Sequence, residues 1–257
     1  MRRSSQTSAL LAKSGFVNAF FGREGGVSPP PWASLNFASN TGDDPANVRE
    51  NLEIAAETLG VPGLHVYFAS QVHGVETLEV RQTDRREEVL FEQADAVYAL
   101  RGDLACGVRS ADCGTLLVGD RVTGAALAIH AGWRGVVRGV VPHAIGVLRD
   151  RLGGTGELCV GIGPMIEACC FEVGDDVARE LAAASSLGEA AVDRKRAKPH
   201  VDLRRVLDAQ LAALGIDAAS VEHVRGCTVC EPSRYFSFRR EGKVSGRMLA
   251  AIVPRPD

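Results

Sequence analysis

Three short stretches of the sequence place a side chain that can bind a metal or act as a nucleophile beside small residues. They contain His73 in "SQVHGV", Cys113 in "SADCGT" and His130 in "AIHAGWRGVV". Imidazole nitrogen and thiolate sulfur are the ligands that Zn²⁺ prefers in proteins. A thiolate beside an imidazole is also the arrangement of a cysteine nucleophile and its base. We therefore expect the three side chains to form one site.

The region around Cys113 and His130 is typical of a β-hairpin, because apolar runs lie on both sides of a polar turn. If the turn is centred between Arg121 and Val122, Cys113 and His130 lie directly across from one another. Their Cβ atoms would then be about 5 Å apart, and sulfur and imidazole could share one metal ion or one proton.

Glycines and an acidic residue surround this pair. Gly114, Gly132 and Gly135 have no side chain, so backbone and substrate can approach the site closely. Asp112 is either a carboxylate that orients an imidazole or a turn residue, and the sequence leaves both open. A lone histidine or cysteine is more often structural, but the combination favours a functional site.

The elements that position these residues follow from helix caps and hydrophobic periodicity. Three helices are predicted: one from the cap Asp44 to Gly60, one from the cap Asp202 to Gly215, and one from about Gly135 to Leu152 that bends at Pro142. Eight apolar runs predict strands at residues 65–70, 75–80, 95–100, 104–108, 115–119, 125–130, 157–163 and 248–253. Strands in clusters with helices between them favour an α+β fold with mixed sheets.

Composition limits the possible functions. The chain has 257 residues, of which 46% are hydrophobic, and we expect a single catalytic domain over residues 1–257. A net charge of −3 gives no reason to expect a nucleic acid or a membrane as partner. The first apolar run is cut short by Lys13 and is too short for a signal peptide, so we expect a cytoplasmic protein. The seven cysteines lack the density of a disulfide scaffold and are expected to be reduced.

Motifs along nearly the whole chain resemble those of the YfiH family, also called the laccase-domain or peptidoglycan editing factor family. They are "REGGVS", "SLNFASNTGDDPANVREN", "SQVHGVE", "ADAV", "SADC", "HAGWRG", "GIGPMIEACCFEVG", "VDL", "CT" and "FSFRREGKVSGR". Gly114 and Thr115 depart from the apolar residue and proline that the family usually has after its cysteine, and this departure bears on substrate preference.

The resemblance implies a sandwich-like core of mixed β-sheets flanked by helices, and a zinc site formed by His73, Cys113 and His130. It also implies a purine nucleoside phosphorylase that cleaves adenosine, inosine and methylthioadenosine and that deaminates adenosine. Two imidazoles and one thiolate leave a fourth coordination position open, which is the pattern of catalytic zinc. The expected partners are therefore a purine nucleoside and phosphate, and the expected assembly is a monomer or a weak homo-oligomer.

Arginine suits phosphate binding, because its planar guanidinium forms paired hydrogen bonds with phosphate oxygens. Arg23 matches an arginine of the family motif, and Gly25 and Gly26 beside it allow a backbone that wraps an anion. Arg239 and Arg240 lie in a basic C-terminal tract, and Arg134 follows the His130 motif. These four arginines are the candidate substrate and phosphate ligands.

Other functions remain open at the level of sequence. Cys113 could be the nucleophile of a hydrolase that removes a wrong amino acid from a UDP-linked muramyl precursor, with His130 as base. The chain could also be a metal-binding interaction module without catalysis. A multicopper centre is disfavoured, since it needs many imidazoles and the chain has six histidines.

Two cysteine pairs carry weaker signals. Cys227 and Cys230 have the CxxC spacing without a second such pair, which favours a packing role over a redox or zinc role. The adjacent Cys169 and Cys170 are not expected to point at one ion.

Overall fold

The computed structural model describes residues 5–38, 40–154 and 156–256. The strands in chain order are β1 (Ser5–Gln6), β2 (Asn18–Phe21), β3 (Val66–Tyr67), β4 (Thr77–Glu79), β5 (Ala96–Ala99), β6 (Ala105–Ser110), β7 (Gly114–Asp120), β8 (Ala126–Ala131), β9 (Leu158–Ile162), β10 (Val192–Asp193), β11 (His200–Val201), β12 (Val221–His223) and β13 (Met248–Ile252).

These strands form two large mixed sheets and one small ribbon. One sheet has the order β1-β2-β13-β6-β3, and the other has the order β12-β9-β7-β8-β5-β4. The ribbon pairs β10 with β11. Both large sheets contain parallel and antiparallel neighbours, as the mixed α+β prediction requires.

The α-helices of the described chain are α1 (Ala9–Lys13), α2 (Pro45–Leu59), α3 (Arg86–Val89), α4 (Trp133–Arg138), α5 (Val140–Arg151), α6 (Asp175–Ala183), α7 (Leu203–Ala213) and α8 (Phe238–Glu241). Short 3₁₀ turns cover Gly188–Ala191, Ala218–Ser220 and Gly242–Val244.

Apolar packing arranges these elements in layers. The inner faces of the two large sheets meet in one buried cluster that includes Phe20, Leu117 and Ala128. Helix α2 covers the outer face of the five-stranded sheet, and α4 to α7 pack against the outer face of the six-stranded sheet. The prediction of a sandwich-like core flanked by helices is therefore confirmed.

The two helices with predicted caps are confirmed. The side chain of Asp44 accepts a hydrogen bond from the backbone N–H of Ala46, and Gly60 ends α2 in the left-handed conformation. Asp202 accepts from the N–H of Arg205 and starts α7.

The third helix differs from its prediction. It is divided into α4 and α5 by Gly139, whose φ of 84° lies in the left-handed region. Pro142 is the third residue of α5, and an N–H at that position would have no partner within the helix. The break therefore comes from a glycine that ends one helix, and the predicted bend at Pro142 is wrong.

Each of the eight predicted strands overlaps an observed strand, but the predicted hairpin register is wrong. β7 and β8 pair Thr115 with His130 and Gly114 with Ala131, two residues away from the predicted pairing. The turn extends further toward β8 than predicted, because the Asp120 side chain accepts hydrogen bonds from the N–H and hydroxyl of Thr123. A shift of two residues preserves the face on which each side chain lies, so Cys113 and His130 still meet.

Candidate functional site

The three predicted ligands converge at one end of the sandwich. His73 lies in the loop between β3 and β4, Cys113 directly precedes β7, and His130 lies near the end of β8. Cys113 Sγ and a ring nitrogen of each histidine all lie within 4.8 Å of one another. The Sγ atom is 3.7 Å from His73 Nε2, and the two imidazole rings meet edge to face with centroids 4.9 Å apart.

Asp95 connects the two histidines, a role that the sequence analysis did not assign. Its buried carboxylate accepts hydrogen bonds from His130 Nδ1 at 2.7 Å and from the backbone N–H of His73 at 3.0 Å. The backbone N–H groups of Val72 and Gly74 donate to the other carboxylate oxygen at 3.1 and 2.7 Å. Because a carboxylate only accepts, Nδ1 of His130 carries a proton, and Nε2 is the nitrogen that can bind a metal once it has released its own proton.

Charge interactions set the protonation of the site. Burial raises the pKa of Cys113, but the positive charge of His130 and hydrogen bonds from both histidines outweigh it and lower the pKa to about 6. Burial lowers the pKa of His130, whereas the charges and hydrogen bonds of Cys113 and Asp95 raise it to about 9. Cys113 is therefore a thiolate at neutral pH, the form that binds metals and attacks electrophiles.

Gly132 makes room for the ligands. A Cβ atom at this position would lie 2.4 Å from His73 Cδ2 and 3.2 Å from Cys113 Sγ. The backbone of Gly132, with φ of −65° and ψ of 152°, is open to any residue. Gly132 therefore allows the ligands to approach closely because it lacks a side chain, and not because of its backbone conformation.

The ligands open into a cavity of about 750 Å³. This volume lies within the range of about 300 to 1,000 Å³ that is typical of small-molecule sites. Its apolar wall consists of Trp133, Ile166, Phe171, Val173, Val177, Leu203 and Phe238. Aromatic and aliphatic walls beside a few polar groups suit a flat heterocycle that carries a polar sugar.

Two arginines that the sequence analysis did not select as ligands line this cavity without a carboxylate partner. Within the described chain, neither Arg109 nor Arg247 forms a salt bridge. Burial and the positive charges of Arg86 and Arg247 lower the pKa of Arg109 to about 10. Burial also lowers the pKa of Arg247. An anion between these guanidinium groups would relieve their repulsion.

Two of the four predicted arginines lie on the cavity. Arg134 is exposed and its guanidinium lies 4.5 Å from the centre of the Trp133 ring. Arg239 donates from Nη1 to the carbonyl of Cys170 at 3.0 Å, and its backbone N–H donates to Asp112. Both side chains can contact a ligand that fills the cavity.

The other two predicted arginines do not reach the cavity. Arg23 donates to the carbonyls of Ala33 and Pro232 and forms a salt bridge of 2.9 Å with Glu241. Arg240 donates to the carbonyls of Thr228, Val229 and Tyr235 and to the same glutamate. Their N–H groups therefore hold chain segments together, contrary to the expected role of Arg23 and Arg240 in phosphate binding.

Asp112 is a structural residue of the loop before Cys113. Its carboxylate accepts from the Thr228 hydroxyl and from the backbone N–H of Arg239, and its φ of 89° lies in the left-handed region. The carboxylate that orients an imidazole is therefore Asp95. The remaining histidines at positions 65, 143, 200 and 223 do not join His73 and His130 in a group that could hold a metal.

Comparison with known proteins gives consistent matches. The sequence profile described as "Multi-copper polyphenol oxidoreductase laccase" matches residues 17–255. Purine nucleoside phosphorylase SCO2081 of Streptomyces coelicolor is 34% identical over 91% of this chain and 93% of its own length. Purine nucleoside phosphorylase YfiH of Escherichia coli is 33% identical over 90% of each chain.

Solved structures show the same fold. YlmD from Geobacillus stearothermophilus superposes with a TM-score of 0.88 and 28% identity, covering 99% of this chain and 100% of that one. The Neisseria meningitidis protein NMB0706 superposes with a TM-score of 0.81 and 32% identity over 99% and 100%. Among the described residues, no helix has both the length and the apolar character needed to span a membrane.

Proposed function

The chain belongs to the YfiH, or laccase-domain, family, and we propose that it is a zinc-dependent purine nucleoside phosphorylase. The observation that carries the proposal is the cavity, which joins a cysteine–histidine ligand set to arginines that lack an acidic partner. The names of the curated relatives support the same reaction.

The donor set suits zinc. One thiolate and two imidazoles are ligands that Zn²⁺ prefers, and three protein ligands are typical of catalytic zinc sites. Asp95 directs Nε2 of His130 toward the other two ligands, as a carboxylate does behind many metal-binding histidines. A zinc ion at this position would supply Lewis acidity beside the bound substrate.

The arginines provide the phosphate site. Phosphorolysis requires a phosphate oxygen to be held against the anomeric carbon of the ribose while the purine leaves. Arg109 and Arg247 line the cavity close to the ligand set, and each keeps N–H groups that make no bond within the described chain. The pair would orient phosphate and offset its charge.

The apolar wall provides the purine site. Trp133, Phe171 and Phe238 offer aromatic surface on which a purine ring can pack. Because packing of the purine on this wall does not require bound phosphate, adenosine can also bind for deamination, in which water adds to C6, the amino group leaves as ammonia and no phosphate takes part. Deamination and cleavage of methylthioadenosine are therefore included in the proposal.

A second candidate function has one specific observation in its favour. Cys113, His130 and Asp95 form the sequence of contacts found in cysteine hydrolases, with a thiolate, an imidazole and a carboxylate that orients it. Such an enzyme would form a thioester with an acyl substrate, for example a muramyl peptide precursor, and would not need His73 as a ligand.

Product analysis tests the proposal. Purified protein is incubated with inosine or adenosine, with and without phosphate, and free base and ribose 1-phosphate are quantified by chromatography. We expect both products in equal amounts only when phosphate is present. Cys113→Ala should abolish them, whereas Cys159→Ala, which changes a buried cysteine of β9, should keep them. Base release that ignores phosphate, or that survives Cys113→Ala, would contradict the proposal.

A further inference from the structure

A second cluster of metal-binding side chains lies outside the site described above. Cys169, Cys170, Cys227 and Cys230 come from two segments that are distant in sequence, and their four Sγ atoms lie within 4.8 Å of one another. The expectation that the adjacent cysteines cannot point at one ion is wrong, because their Sγ atoms are 3.7 Å apart and both reach the other pair.

We propose that these four cysteines bind a second zinc ion, a closed structural site that is separate from the site of His73, Cys113 and His130. The proposal does not depend on the proposed function, since it concerns different residues and a different role for the metal.

The sulfur distances match a zinc tetrahedron. Zn–S bonds of about 2.3 Å in tetrahedral geometry place the sulfur atoms about 3.8 Å apart. Cys169 Sγ lies 3.6 Å from Cys227 Sγ and 3.7 Å from Cys230 Sγ, and Cys170 Sγ lies 3.3 Å from Cys230 Sγ. Four sulfurs at nearly this spacing need only small movements to surround one ion.

The backbone brings the two pairs together independently of any metal. Cys170 lies in a turn in which its N–H donates to the carbonyl of Glu167. Cys227 and Cys230 lie in a second turn, closed by a hydrogen bond from the N–H of Glu231 to the carbonyl of Cys227. A parallel bridge between Met165 and Cys227 holds the two turns side by side. The CxxC spacing then presents two sulfurs from one turn, as in many structural zinc sites.

Nearby charges favour such a site. Four thiolates and one Zn²⁺ carry a net charge of −2, which would be costly without positive neighbours. Arg196 donates to the carbonyl of Cys169 at 3.0 Å, and Arg239 donates to the carbonyl of Cys170 at 3.0 Å. Arg240 donates to the carbonyls of Thr228 and Val229, inside the CxxC turn. Three guanidinium groups therefore contact the backbone of the segments that carry the four cysteines.

The position of the cluster explains what a structural ion would do. Thr228, between the two cysteines of the CxxC turn, donates its hydroxyl hydrogen to Asp112, the neighbour of Cys113. Phe171 and Glu172, which follow the other pair, line the substrate cavity. A zinc ion would fasten these two segments and so hold one wall of the cavity and the loop before Cys113.

Metal analysis of matched variants tests the proposal. Protein expressed with added zinc and purified without an affinity tag is dialysed and measured by mass spectrometry for metal per chain. Cys230→Ser and Cys169→Ser change exposed residues and should each lose one equivalent of zinc, whereas Cys159→Ala should lose none. His73→Ala should lose the other equivalent, so the double variant of His73 and Cys230 should hold almost no zinc.

A thiol count separates the zinc site from disulfide bonds. Protein denatured with a chelator and without reductant should show all seven cysteines as free thiols. Cobalt in place of zinc should give strong thiolate charge-transfer absorption that persists in Cys113→Ala and disappears in the double variant of Cys113→Ala and Cys230→Ser. An unchanged zinc content in both serine variants, or fewer free thiols than cysteines, would overturn the proposal. Loss of zinc in His73→Ala alone would support the other site and contradict this one.

Discussion

Replacing Asp95 by asparagine tests how the ligand set is held. The carboxylate accepts four hydrogen bonds, two at each oxygen, from His130 Nδ1 and three backbone N–H groups. Asparagine keeps the shape but has only one oxygen, so its NH₂ group must face two donors. Two lost hydrogen bonds to a charged acceptor, at about 1.5 to 3 kcal/mol each, predict a loss of about 3 to 6 kcal/mol in the free energy of unfolding.

Asp95→Asn should also weaken zinc binding about 10- to 100-fold, because the orientation of His130 is no longer fixed. Urea unfolding of the metal-free protein and competition with a chromogenic chelator measure the two effects. Asp120→Asn is the matched control, since Asp120 is a fully buried carboxylate that accepts from Thr123 and from the N–H of Glu157 at the other end of β7. The control should lose stability and keep its zinc affinity. Equal zinc affinity in Asp95→Asn and wild type would refute this reasoning.

Three further predictions follow from the geometry of the cavity. Arg247→Ala should lower phosphate-dependent cleavage roughly tenfold to a hundredfold, because one hydrogen bond to a charged group contributes about 1.5 to 3 kcal/mol. Deamination should fall much less, and Arg23→Ala should leave the KM for phosphate unchanged. The reverse pattern in steady-state kinetics would contradict this prediction. Gly132→Ala should lose zinc while keeping its circular dichroism spectrum, because the methyl group overlaps a ligand imidazole, whereas Gly146→Ala in α5 has open space and should keep the metal. In metal-free protein, alkylation of Cys113 followed by peptide mass spectrometry should be half-maximal near pH 6, and the thiolate should be lost as pH falls below that value; a midpoint at about 8.5, the value of an ordinary thiol, would argue against the charge pair.

The sequence predicted correctly those helix ends and strands that depend on interactions between residues close together in the chain. Asp44 and Asp202 satisfy backbone N–H groups at the starts of their helices, and Gly60 ends α2 in a conformation that glycine adopts easily. Most of the apolar strands were likewise predictable, because their side chains fill the buried layers. The edge strand β12, which is only partly buried, has no comparable pattern.

Features that depend on pairing between distant segments were not predictable. The hairpin register depends on the Asp120 side chain closing the turn, which periodicity does not report. Asp95 reaches His130 only because β5 pairs with β8. The sequence motif that contains Asp95 does not indicate which residue its carboxylate contacts. Arg109 lines the cavity from a strand of the other sheet, so its sequence neighbourhood looks like an ordinary strand.

Fold topology also explains why Cys113 and His130 lie close together as predicted, although the predicted hairpin register is wrong. A shift of two residues along β7 leaves Cys113 on the same face of the sheet as His130, and the missing side chain of Gly132 gives sulfur and imidazole a common space. Alternation of faces is therefore a more robust predictor of the site than the pairing of particular residues.

The most direct test of the central claim is the rate of phosphate-dependent purine release by the protein before metal removal, after chelation and after zinc is returned. The account predicts that chelation abolishes the activity and that about one equivalent of zinc at the His73, Cys113 and His130 site restores it, while copper does not. Full purine release by the chelated, metal-free protein would contradict the account.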